Sequence, residues 1–219
     1  GSHLNPILEI CKILEDRGYK ITLAAPGNFT AKSTLYHSIP QIITGEPPYT
    51  YSSPEFKEIF FNKYTFKSLA DGRMKTNKRY IEYFNKYLQA YKETKADLFF
   101  CDYVANEACF DLAWKLKKPV VGFVSSTMCT YDLLFFFTPP PPFKSDPMMD
   151  FGIFKKNLDY INSQRAEVGV DKHSDFRGRI INTLFLVDNF FGFEVPSAWP
   201  PIHQDIGPVL PDTFFKFIF

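Results

Sequence analysis

Residues 96–126 read ADLFFCDYVANEACFDLAWKLKKPVVGFVSS. Three segments follow one another in this stretch. Ala96–Cys101 is a short apolar run, Val104–Leu116 repeats apolar residues at helical spacing, and Pro119–Val124 is a second apolar run. A strand with one face in water alternates apolar and polar residues. Leu98-Phe99-Phe100-Cys101 and Val120-Val121-Gly122-Phe123-Val124 do not alternate, so both faces of each are covered. Two such strands joined by a helix predict a mainly parallel sheet with helices on both faces, the doubly wound α/β class.

The same alternation extends in both directions. Asn5 suits an N-cap and Pro6 a first helical residue; Ile7, Ile10, Cys11 and Leu14 recur at three- and four-residue spacing, and Arg17-Gly18 supplies a stop. Residues 5–17 therefore read as an amphipathic helix, followed by short strands at Lys20–Ala25 and Ile39–Thr44. Residues 54–95 read as helices whose lysines are solvated and whose aromatic residues point inward. A helix is expected near 151–166, one strand within RIINTLFLVDNFFGFE (179–194) and another within HQDIGPVLP (203–211). Residues 125–150 read as irregular, with FFFTPPPPF (135–143) at their centre. That motif reads either as a polyproline ligand for a partner protein or as an ordered loop beside an apolar pocket, and its flanking phenylalanines favour the loop.

Length and composition narrow the classes. The 219 residues suit one large domain, or a domain with a small appendage. Lys and Arg number 25 against 24 Asp and Glu, a balance that offers no electrostatic footprint for nucleic acid. With 25 Phe and 12 Tyr the chain has apolar surface for a core and a surplus for a greasy pocket or a membrane-facing patch. No apolar run reaches the roughly 18 residues of a membrane span. Cys11, Cys101, Cys109 and Cys129 form no CxxC pair and no metal-ligand spacing, and are expected to be buried free thiols. Asn28-Phe29-Thr30 is a glycosylation sequon, a triplet common by chance.

In a doubly wound sheet, ligands bind at the carboxyl ends of the strands. The loops at that edge offer His3, Asn28, Asp102, Ser125, Ser126 and Thr127. A histidine and a carboxylate on two such loops make a base dyad: the carboxylate holds one ring nitrogen protonated and leaves the other free to accept a proton. The positive end of the helix starting at Asn5 disfavours imidazolium while Asp102 favours it, so the pair is expected to titrate near neutrality. The plainer reading of Asp102 is a cap for the helix that follows it. Gly1-Ser2-His3 itself reads either as a cloning remnant or as the end of a strand-to-helix loop. No GxGxxG, P-loop or GxSxG motif is present, and His37, His173 and His203 read as surface or packing residues.

Taken in order, these motifs resemble the family 1 UDP-glycosyltransferases, in particular their animal and fungal branch. Residues 1–30 are similar to the family's Ser-His-x-x-Pro loop, first helix and following Arg-Gly-x-x-Ile-Thr strand. Residues 96–126 resemble its aspartate strand, helix and next strand, and LFLVDNFFGFEVPSAWPPIHQDIGPVLPD (184–212) resembles the end of its N-terminal domain. Residues 45–95 and 128–175 match only in general character. The resemblance implies the Rossmann-like, acceptor-binding half of a GT-B enzyme over residues 1–212, with an apolar tail of unknown role at 213–219. It implies an inverting, metal-free transfer from a UDP-sugar to a hydroxyl of a small lipophilic acceptor, without a cofactor. His3 is then the base and Asp102 its support, with Ser125 and Ser126 at the acceptor site and Phe29, Phe123 and Met128 as its apolar walls.

Two departures accompany the resemblance. The family's donor-domain motif occurs nowhere in the sequence, so this segment alone is expected to be inactive, the UDP-sugar binding mainly to the second domain. The first strand of the fold is also expected to be missing, which removes a central parallel strand and exposes edges. Animal members of the family face the endoplasmic reticulum lumen on a membrane anchor and plant members are cytosolic; only the sequon leans toward the former. A different class of function also fits the residues: a non-catalytic α/β module, or pseudoenzyme, holding an apolar ligand or a protein partner.

Overall fold

The computed structural model describes residues 4–31, 33–47, 53–57, 66–103, 106–125, 152–174, 182–188, 203–207 and 209. Helix α1 (Leu4–Asp16) leads into strand β1 (Leu23–Ala25). Pro6 falls in the first turn, where its missing N–H has no partner to lose. At the other end Gly18 takes φ 88°, and the Tyr19 amide donates to the Leu14 carbonyl at 3.1 Å, closing the helix as a Schellman motif. Strand β2 (Gln41–Ile43) follows, then helices α2 (Pro54–Lys57), α3 (Phe66–Asn77) and α4 (Tyr80–Thr94). The stretch that opened the sequence analysis forms β3 (Phe99–Asp102), α5 (Glu107–Lys115) and β4 (Val120–Ser125). Helix α6 (Gly152–Glu167) and strands β5 (Leu184–Asp188) and β6 (His203–Asp205) complete the described elements.

Every strand pairing is parallel, as the doubly apolar strands require. The strands form two sets, β1–β2 and β3–β4–β5–β6. Helices α4, α5 and α6 cover one face through Tyr80, Phe84, Phe110, Leu112, Leu158 and Ile161. Helix α1 covers the other, packing Ile7, Leu8 and Cys11 against Leu23, Ala25 and Phe123. Both strand sets feed the same two layers. Ala24 of β1 joins the cluster of Cys101 and Phe185, while Leu23 and Ala25 join that of Phe100 and Phe123. The two sets are thus parts of one layer, with no strand joining β1 to β3 among the described residues.

The backbone register agrees. The Leu23 amide donates to the Pro40 carbonyl at 2.9 Å and the Ala25 carbonyl accepts from Thr44 at 3.1 Å, so the Ala24 peptide groups turn away from β2. On β3 the Phe99 amide reaches the Pro119 carbonyl at 2.9 Å and the Tyr103 amide the Phe123 carbonyl at 2.8 Å, so those of Phe100 turn away from β4. Among the described residues no ladder joins these edges.

One feature differs from the sequence reading. Cys101 and Cys109 are joined by a disulfide across a Cα–Cα distance of 6.0 Å, rather than standing as separate thiols. Strand alternation turns Cys101 toward α5, and the sulfur of Cys109, in the first turn of that helix, meets it. Cys11 is a buried free thiol, pushed up to about 11 by burial and then by the charge of Glu15. Cys129, the FFFTPPPPF segment and the apolar tail at 213–219 lie outside the described residues. Among the described residues, no helix is long and apolar enough to cross a membrane.

Helix α5 is buried from Glu107 through Ala113 because α4 and α6 enclose it above the sheet. Its Asp111 accepts from Arg165 Nε at 2.8 Å and from the Tyr80 hydroxyl at 2.9 Å. Both members of the ion pair are essentially unexposed, at 1% for Arg165 and 0% for Asp111. Removing one partner strands a charge, so Arg165→Met is expected to cost about 3–5 kcal/mol, and the double variant Arg165→Met/Asp111→Asn less; urea unfolding of the two measures the difference. Gly122 of β4 lies under the Phe185 ring, where a Cβ would overlap the aromatic carbons. Gly122→Ala is expected to destabilise by about 1–3 kcal/mol, with partial recovery on adding Phe185→Leu.

Candidate functional site

The carboxyl edge of the four-stranded set brings three predicted positions into register. Asp102 ends β3 opposite Phe123 of β4, and Ser125 ends β4 opposite Asp188 of β5. Asp102 does not occupy the cap position: α5 begins at Glu107, five residues beyond the strand end, and its N-cap residue is Asn106. Asp102 is half-buried, between Cys101, which is fully buried, and Tyr103, which is 2% exposed. Nearby stands the phenol of Tyr87, which burial pushes well above the usual tyrosine range. The negative charges of Tyr83 and Asp102 act in the same direction, and a hydrogen bond with Asn106 opposes them.

Helix α1 approaches this edge with its first turn. Leu4, Ile7 and Leu8 pack into the cluster that holds Phe100, Phe123 and Leu186, side chains from three adjacent strands. His3, immediately ahead of Leu4, lies outside the described residues, as do Ser126, Thr127 and Met128.

The two phenylalanines assigned to the acceptor walls occupy different settings. Phe29 is partly exposed and lies in the loop after β1, its ring over Gly27 beside Pro47. Gln41 organises that loop. Its side-chain oxygen accepts from the amides of Phe29 at 2.9 Å and Thr30 at 3.0 Å, and its nitrogen donates to the Gly27 carbonyl at 2.5 Å. Phe123 is fully buried and packs edge-on against Phe100 at 5.8 Å, so in this structure it belongs to the core beneath α1. Among the histidines, His37 is exposed beside the Thr34 carbonyl and His173 stacks on Trp114 at 5.6 Å, the surface and packing roles expected of them. Among the described residues no three His, Cys, Asp or Glu side chains gather to hold a metal.

Sequence reasoning missed Asp188, because within LFLVDNFF it reads as a strand end. Burial raises its carboxyl above the ordinary value, and the hydrogen bond from the Val209 amide at 2.8 Å offsets only part of that. It is a second carboxylate on the edge that carries Asp102, and it ties the chain leaving β6 back to β5.

No family model matches the chain. Three curated fungal proteins do: a UDP-glycosyltransferase of Talaromyces amestolkiae at 27% identity, UDP-glycosyltransferase stmC of Aspergillus ustus at 26% and UDP-glycosyltransferase FPY2 of Fusarium mangiferae at 23%. Each alignment takes in 95% of this chain but only 42–44% of the relative, so the chain spans less than half the length of the proteins it matches. Among solved structures, the calicheamicin glycosyltransferase CalG4 superposes with a TM-score of 0.56 at 15% identity, over 94% of this chain and 50% of that one. A parallel layer with helices on both faces, matching half of such an enzyme, is one Rossmann-like half of the GT-B architecture. Over 95% of its length the chain is thus similar in sequence to proteins named UDP-glycosyltransferases, and in fold to half of a GT-B glycosyltransferase.

The environment of Asp188 has a measurable consequence. An acid whose folded value is raised contributes its stability at pH below its unfolded value and loses it as pH rises through the folded one. Asp188→Asn keeps an oxygen to accept from Val209 and removes the poorly solvated charge. Its Tm is expected to exceed that of the unaltered chain at neutral pH, with the difference gone below about pH 4; a lower Tm at neutral pH would contradict the assignment.

Proposed function

We propose that this chain is the acceptor-binding half of an inverting UDP-sugar-dependent glycosyltransferase acting on a hydroxyl of a small lipophilic molecule. The observation that carries the reading is that Leu4 of α1 and Phe100 of β3 pack against one hydrophobic cluster, Phe100 standing two residues ahead of Asp102. The residue before Leu4 is a histidine, and the residue that ends β3 is a carboxylate.

His3 serves as general base. Its neutral imidazole accepts the proton of the acceptor hydroxyl, the oxygen attacks the anomeric carbon from the face opposite the UDP, and the bond from that carbon to the diphosphate oxygen breaks as UDP leaves. Asp102 orients the imidazole through its other nitrogen and stabilises the imidazolium that forms, while the amino-terminal end of α1 favours the neutral ring in the resting enzyme. Phe29, Ser125, Ser126 and Met128 contribute the walls and polar contacts of the acceptor site, with Phe123 in the core beneath them rather than at the surface. The UDP-sugar is a co-substrate held mainly by a second domain, and no metal or cofactor takes part.

With this segment joined to a donor-binding half, His3→Ala and Asp102→Asn are each expected to lower kcat at least about 100-fold. Transfer from UDP-glucose to phenolic and sterol acceptors measures the rate, and far-UV circular dichroism verifies folding. Undiminished transfer by a folded His3→Ala variant would remove the base assignment and leave a binding module as the better description.

A further inference from the structure

Helix α3 sends one cation toward the connection between β3 and α5. Arg73 Nη2 donates to Glu107 Oε1 at 2.6 Å, with the arginine side chain 12% exposed and the glutamate 0%. The same guanidinium carbon stands 5.9 Å from the centre of the Tyr103 ring, at the outer reach of a cation–π contact. Arg73 therefore touches both ends of the connection: Tyr103, which opens it, and Glu107, which closes it. Tyr103 is fixed further by its amide on the Phe123 carbonyl at 2.8 Å and by its ring, edge-on to Phe185 at 5.7 Å. On the strand side, Cys101 is bonded to Cys109, one residue beyond Ala108 in the first turn of α5. Asp102 is the residue between the Cys101 anchor and the Tyr103 anchor.

We propose that Arg73 is a positioning residue for Asp102, acting through Glu107 and the Tyr103 ring to fix the connection that aims the carboxylate at the base. This rests on the assignment of Asp102 in the proposed function and goes beyond it, since Arg73 lies on a helix from the stretch that matches the family only in general character. The physical reason is a tether: the ion pair ties α3 to the first turn of α5, and the contact of the same guanidinium with the Tyr103 ring ties it to the residue after Asp102. Removing the pair takes away a short, directional contact that holds these two positions relative to each other. Helix α3 is in turn tied to α6 by Asn77 Nδ2 donating to Asn157 Oδ1 at 2.7 Å, both residues buried. A displacement of the helices on that face would therefore reach Asp102 through Arg73.

The same helix supplies the control. Arg165 and Asp111 form a pair of the same chemistry one turn along α5 and away from the connection. Four full-length variants are compared with UDP-glucose and a fluorescent phenol as acceptor: Arg73→Met/Glu107→Gln, Arg73→Lys, Arg165→Met/Asp111→Asn and Asp102→Asn. Removing both charges of a pair keeps the variant from carrying a stranded ion. Arg73→Met/Glu107→Gln is expected to lose about 10- to 100-fold in kcat, the cost of misplacing a reacting group by about an ångström, with KM for UDP-glucose unchanged. Its acidic limb in the pH–kcat profile is expected to move to lower pH, in the direction of Asp102→Asn, because a displaced carboxylate no longer raises the imidazole. Arg73→Lys, which keeps the charge, is expected to recover part of the rate. The Arg165→Met/Asp111→Asn pair is expected to lower Tm without moving the limb.

A second readout needs no substrate. Hydrogen exchange at the Tyr103 amide is expected to quicken in Arg73→Met/Glu107→Gln relative to the rest of the sheet, and to keep pace with the sheet in the control pair. An unshifted limb with unaltered Tyr103 exchange overturns the proposal, as does a loss of rate equal to that of the control at the same Tm. Should Asp102→Asn transfer at full rate, the dyad falls and this proposal with it. Should Asp102→Asn lose activity while Arg73→Met/Glu107→Gln does not, only the positioning role falls.

Discussion

Burying a carboxylate in a protein core costs several kcal/mol unless an opposite charge meets it there with good geometry. Helix α5 buries two, Glu107 and Asp111, four residues apart on one side of the helix. Each is met by an arginine from a different neighbour, Arg73 of α3 and Arg165 of α6. These pairs do more than neutralise charge. They set where α3 and α6 sit relative to the sheet, because an ion pair at 2.6–2.8 Å tolerates far less sliding than an apolar contact of the same area. The hydroxyl of Tyr80 on Asp111 adds α4 to the same arrangement. Three helices are thereby registered on one enclosed helix, and that helix is joined covalently to β3 through Cys109.

That arrangement bears on the divided layer. An open edge in the middle of a sheet leaves backbone groups without ladder partners, and those groups weaken the structure around them. Among the described residues, the β3 side belongs to four paired strands backed by α4, α5 and α6, whereas the β1 side pairs with β2 alone. What holds β1 in the common layer is α1, whose Ile7, Leu8 and Cys11 contact Leu23 and Ala25 as well as the side chains of the larger set. Helix α1 therefore bridges the two sets, and it is the helix that the proposed base precedes.

Much of this was legible in the chain. The doubly apolar runs at 98–101 and 120–124 gave parallel, covered strands, and the helix between them followed from spacing. Asp102 stood out because a strand end in this class of sheet is where ligands bind. The rest failed for physical reasons. Glu107 and Asp111 in NEACFDLAWKL have the look of the solvated side of an amphipathic helix, since periodicity records polarity and not the partner that makes burial tolerable. Arg73 and Arg165, the partners, lie 34 and 54 residues away, the first in a stretch that reads as helices with solvated lysines and the second in one that reads simply as a helix. The disulfide was missed because Cys101 and Cys109 are eight residues apart on a strand and a helix, a spacing that resembles no local motif. Asp188 escaped because its setting depends on Val209, which returns from beyond β6.

Two loops at the carboxyl edge are held in contrasting ways, and the contrast fits their assigned work. The loop after β1 is organised from within the small sheet by one neutral amide, Gln41, whose oxygen serves two backbone amides and whose nitrogen serves a carbonyl. Such a clamp fixes the backbone and leaves the Phe29 side chain exposed. The residues that flank the connection after β3 are held by a disulfide, a buried ion pair and an aromatic ring in the core. A wall of a lipophilic site tolerates adjustment, because apolar contact is non-directional. A carboxylate that must keep one imidazole nitrogen protonated does not, because a hydrogen bond weakens steeply once its angle falls. The stiffer support stands beside Asp102, the residue whose proposed role is directional.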